Sequence, residues 1–73
     1  MINATALCKT VEERKRVEKA LHTLEGVRVD SSVLAIAVEY TPPDTATDFQ
    51  IDYTTARLFD IIESVETHGI CIS

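Results

Sequence analysis

Between Thr10 and Val27 the sequence TVEERKRVEKALHTLEGV specifies one amphipathic helix, and the rest of a short chain has to be built around it. Thr10 and Glu13 have the T-x-x-E spacing of a capping box, in which each side chain accepts a backbone N–H of the other residue. Glu12 and Glu13 put negative charge in the first turn, where the helix dipole favours it. Val17, Ala20, Leu21 and Leu24 recur at i, i+3, i+4 and i+7 and form one apolar stripe. Glu12–Arg16 and Arg14–Glu18 are i,i+4 pairs for the outer face. Gly26 supplies the stop, at a left-handed position just past the last turn.

A helix with one apolar stripe needs a surface to cover, and the neighbouring segments read as strands. Ile2 to Cys8 alternates, with Ile2, Ala4, Ala6 and Cys8 on one side and Asn3, Thr5 and Leu7 on the other. Val27 to Thr41 is β-rich, with Asp30-Ser31-Ser32 as a bulge or short loop. The run Val33 to Val38 reads as a strand with Leu34, Ile36, Val38 and Tyr40 on one face and Val33, Ala35 and Ala37 on the other. Pro42-Pro43-Asp44 is a turn signal. Asp48 to Tyr53 alternates strictly, which predicts a strand over 47–53 with Phe49, Ile51 and Tyr53 inward, paired with 33–41 as a hairpin. A second helix starts at Thr54 or Thr55, carries Leu58, Ile61, Ile62 and Val65 as its stripe, and ends at His68-Gly69. Ile70 to Ser73 is a last short strand. The order β-α-β-β-α-β is the ferredoxin-like α+β pattern, two helices packed on one face of a four-stranded antiparallel sheet, with the first strand beside the last.

Seventy-three residues make one domain, 1–73. A chain this short buries only about 60% of the surface it exposes when unfolded, so its margin is thin, and domains of this size often lean on disulfides, a metal or a partner. The net charge of −5 is uneven: residues 1–28 hold six bases and four acids, residues 29–73 one base and eight acids. An acidic majority argues against nucleic acid, which needs a basic surface. The basic first helix suits an acidic partner, an acidic patch on a second copy, or a solvated face laced with ion pairs. No signal peptide is visible, and no run approaches the ~20 apolar residues of a membrane span. Cys8 and Cys71 allow one bridge at most, and a reduced cytoplasmic setting is expected.

RVEKALHTLEGV (residues 16–27) resembles the first helix of heavy-metal-associated domains, the copper chaperones and the N-terminal modules of metal-pumping ATPases, and IIESVETHGI (61–70) resembles their second apolar segment. The resemblance implies the same β-α-β-β-α-β fold. Members of that family hold a soft metal through M-x-C-x-x-C ahead of the first helix. In this chain Cys8 falls at the Met position, Thr10 at the first Cys and Glu13 at the second. A cap replaces the chelate, so metal binding is not carried over and no cofactor is expected.

No catalytic set appears: there is no nucleophile triad, no Gly-rich phosphate loop and no H-E-x-x-H. Asp48 and Asp52 read as a solvated acidic face. By alternation Cys8 points inward and Cys71 outward, so the two form neither a bridge nor a shared site. His22 and His68 are lone histidines, one on the polar side of the first helix and one at the end of the second. The expected function is a non-catalytic, self-associating interaction module. Its candidate interface is Val33, Ala35 and Ala37, on the open face of a second strand placed at the sheet edge. The alternatives are a metal carrier with a non-standard site near Cys8, and a small-molecule regulatory module of the ACT kind, although the Asp-x-x-Gly turn usual there is replaced by Lys9-Thr10-Val11-Glu12. Protein, as homo-oligomer, is the expected partner, with no nucleic acid, membrane or metal.

Overall fold

In this computed structural model, which describes residues 1–72, the elements follow in the order β1 (Ile2–Leu7), α1 (Val11–His22), β2 (Val27–Ser31), β3 (Ala35–Tyr40), α2 (Asp48–Glu63) and β4 (Thr67–Ile72). The four strands form one antiparallel sheet in the order β2-β3-β1-β4. This is the expected ferredoxin-like arrangement. The first strand pairs with the last, from Leu7 opposite Thr67 to Ile2 opposite Ile72. β2 and β4 are the two edges. α1 packs on β2 and β3, and α2 on β1.

The core is built as the alternation requires. Ala4, Ala6 and Cys8 point to the helices from one strand, and Ile36, Val38 and Tyr40 from the next. Val17, Leu21, Leu58, Ile62 and Val65 meet them from α1, α2 and the turn after α2. Leu21, Leu58 and Ile62 are fully inaccessible. The accessible surface is 4856 Å², slightly above the about 4,500 Å² of a compact monomer of this mass. The body is a flattened slab of 36 × 21 × 17 Å.

The predicted strand over 47–53 is instead the first turn and a half of α2. Its start is a complete capping box. The Thr47 hydroxyl accepts the Gln50 N–H at 3.2 Å, and the Gln50 side-chain oxygen accepts the Thr47 N–H at 2.9 Å. Ile51, Leu58 and Ile62 then continue one helical stripe, and Val65, expected on it, is buried from the turn just past the helix. Phe49, expected inward, is 78% exposed, and Tyr53 is exposed too. The period-two pattern of 48–53 is real in the sequence, but the cap and the longer 3.6 period outweigh it. The hairpin partner of β3 is therefore β2, and the loop Ser32–Leu34 joins them. His68 and Gly69 do not end α2 but lie within β4.

At α1 the cap is half of the expected box. The Thr10 hydroxyl accepts the Glu13 N–H at 3.1 Å, but the Glu13 carboxylate accepts the N–H of Lys9, at 3.0 Å, one residue further back. Arg14 and Glu18 pair at 3.3 Å as expected, whereas Arg16 lies nearest Glu13, at 3.8 Å, in place of Glu12. Arg14 also donates to the Ser32 carbonyl at 3.2 Å, which ties α1 to the β2–β3 loop. Helix α1 ends at Thr23, and Gly26 lies beyond that cap, immediately before β2, with φ +81. It supplies the reversal into β2 rather than the cap itself.

Candidate functional site

The turn between β1 and α1 is held by helix-starting hydrogen bonds. Thr10 and Glu13 are both committed to backbone N–H groups. Cys8 follows β1, its N–H bonded to the Leu34 carbonyl at 2.8 Å and its side chain in the core. Burial, reinforced by the Glu13 carboxylate, pushes the Cys8 thiol above its ordinary 9.0, with Arg14 and Arg16 opposing. A protonated, buried thiol is a poor ligand and a poor nucleophile. Cys71 is exposed on the opposite side of the sheet, across from Asn3. His22 is exposed on α1, and His68 donates from Nδ1 to the Val65 carbonyl at 2.6 Å. Among the described residues no three His, Cys, Asp or Glu side chains gather as a metal site would need, and no helix is long and apolar enough to cross a membrane.

The thiols give a direct test of this geometry. In the native protein one thiol, the exposed Cys71, should react quickly with a disulfide reagent, and the buried Cys8 only after unfolding. The linkage sign follows from the raised value. The unfolded thiol ionises near 9.0 and the folded one only above it, so the native state holds the proton more tightly. Stability from this group is full below that range and falls as pH rises through it. Urea unfolding at about pH 8 and about pH 10 should show an alkaline loss that shrinks in Cys8→Ala; an unchanged loss would refute the assignment.

The sheet face away from the helices is uncovered. Its outward side chains fall into rows set by the register. Leu7 lies between Ala35 and Thr67; Thr5 between Ala37 and Gly69, with Asp30 beyond Ala37; and Asn3 between Glu39 and Cys71, with Arg28 beyond Glu39. Short side chains in the middle row make a shallow trough of about 500 Å³ over Thr5, Leu7, Ala35, Ala37 and Gly69. Leu7 is 53% exposed there. Among the described residues no aromatic side chain projects from this face, unlike the base-stacking sheets of RNA-recognition domains.

The three residues expected to form an interface are placed differently from the expectation. Val33 is exposed in the β2–β3 loop, not on a strand. Ala35 and Ala37 do face the open side, but β3 is an interior strand between β2 and β1, so they have no free edge. The free edges belong to β2, which carries Arg28 and Asp30, and to β4, whose sequence Thr67-His68-Gly69-Ile70-Cys71-Ile72 has no acid, lysine, arginine or proline. Leu7 and the β4 edge were missed by the sequence reading. The signal for Leu7 was available, as a large apolar residue on the outward phase of β1; β4 was obscured because 67–69 was assigned to the helix end.

A second concave feature lies between the α1 C-terminus and the start of α2, with Phe49, Tyr53, Leu24 and Tyr40 in its wall and Glu25 at its rim. No family model matches the chain, and no curated protein or solved structure matches it either.

Proposed function

We propose that the chain is a non-catalytic interaction module that associates with a second copy of itself through its sheet. It uses a scaffold resembling the heavy-metal-associated domains, with a helix cap where those domains carry their chelate. The observation that supports this reading is the sheet edge at β4, unpaired on one flank and without acid, lysine or arginine, beside an uncovered face where Leu7 stands exposed among Ala35, Ala37, Thr5 and Gly69. The charges of this face, Arg28, Asp30 and Glu39, all lie on the β2–β3 half. The β1–β4 half carries none, so two copies of a chain with net charge −5 can meet there without opposing acid to acid.

The metal-carrier alternative gains no support from Cys8, whose thiol is buried and held protonated. Sedimentation equilibrium of the reduced protein should give a dimer whose population rises with concentration. A strict monomer up to about millimolar protein, far above the micromolar range of ordinary specific association, would overturn the reading. Saturable Cu(I) binding abolished by Cys8→Ser would transfer the function to metal carriage.

A further inference from the structure

We infer that the second copy joins along β4, antiparallel and centred on Ile70, to make a continuous eight-stranded sheet; this rests on the self-association proposed above. Edge strands present unpaired N–H and C=O groups, and proteins protect them with charges, prolines or bulges. Of the two edges here, β2 carries Arg28 and Asp30, whereas β4 carries none of these devices and keeps an unbroken register with β1 from Thr67 to Ile72. Ile72 is 69% exposed at this edge and Cys71 is exposed beside it. The strand's own composition selects the occupant: two chains of net charge −5 can meet along β4 without setting acid against acid, and a second β4 presents the same uncharged edge in return.

The register follows from the alternation. In an antiparallel ladder, residues directly opposite point to the same face. The symmetry axis must therefore pass through a residue pair. An axis at Gly69 would set Glu66 against Ile72 of the other copy. An axis at Cys71 would overlap only the last residues of the strand. An axis at Ile70 sets Ile70 against Ile70, Ile72 against His68 and Cys71 against Gly69, with every apolar side chain on the helix side facing its like or an imidazole. Gly69 leaves room for the Cys71 side chain opposite it, and a Cβ placed on Gly69 meets only Thr5 Oγ1, at 3.6 Å. The axis stands perpendicular to the sheet, so the helices of both copies lie on one side. The two open faces then merge into one platform on the other.

Two variants of the full chain test this. Ile72→Lys adds an edge charge at an exposed position, and the dimer should weaken at least ~10-fold while circular dichroism and thermal unfolding at matched monomer concentration show a folded chain. Gly69→Cys places a thiol opposite Cys71 of the other copy, so mild oxidation should give a covalent dimer on non-reducing gels that Cys71→Ser abolishes. A wild-type dimer that neither variant affects would overturn β4 pairing and leave self-association standing. A wild-type monomer at all concentrations would overturn both. A covalent dimer in wild type through Cys71 alone would overturn the Ile70-centred register.

Discussion

Leu58→Ala should lower the stability of this domain by about 2–5 kcal/mol, the range for removing a large aliphatic side chain from a packed core. Leu58 is fully inaccessible and sits in the middle of α2, in the same cluster as Leu21, Ile36 and Ile62. The helix around it is long and firmly capped, so the backbone cannot collapse into the space left behind. The loss is large relative to what there is to lose: a 73-residue domain has a total margin of roughly 4–11 kcal/mol. The variant should unfold at a much lower urea concentration with its slope nearly unchanged. The comparison must be made at one protein concentration, because association contributes to apparent stability. A loss below about 1 kcal/mol would mean that α2 does not pack as described.

Gly26→Ala should cost about 1–2 kcal/mol, for backbone reasons rather than packing. Gly26 has φ +81, a conformation that any side chain resists. The added Cβ would lie in ordinary contact, 3.4 Å from the Tyr40 ring and 3.5 Å from Pro43, so the cost is conformational. Gly69→Ala is the matched control. Gly69 lies in β4 without positive φ, and its Cβ would make only an ordinary contact with Thr5. That variant should be neutral or gain a few tenths to about 1 kcal/mol by restricting the unfolded chain. Thermal midpoints that fall equally for both would show that the left-handed geometry at Gly26 is not what matters.

The architecture was legible because two signals agreed: the stripe of Val17, Leu21 and Leu24, and the alternation of Ala4, Ala6 and Cys8 with its counterpart Ile36, Val38 and Tyr40. The segment 48–53 reads as a strand because its six residues satisfy a strand pattern locally. The evidence against it, Thr47 and Gln50 at capping-box spacing, lies just outside and between those residues. That single error displaced a strand, and with it the edge. Ala35 and Ala37 were put on the correct face, but on a strand that is interior once 27–31 is recognised as β2. Which strands are edges depends on the whole pairing order, so no local pattern could have corrected it. The start of α1 is easier to read. Thr10 and Glu13 are helix-starting residue types, and the hydrogen bonds they make are local ones.

The strand order also sets how this domain assembles and opens. The β2–β3 hairpin closes across a short loop, whereas β1–β4 joins residues from opposite ends of the chain. Closing a long loop must precede the contacts that reward it, so such pairings form slowly. β4 is thus expected to dock late, and with most of its residues exposed and one flank unpaired it is expected to open early. Its departure would uncover the β1 edge, and β4 of a second copy carries the side chains that match it. Exchange of β4 between neighbouring copies should therefore be the misassembly to which this strand order is most prone.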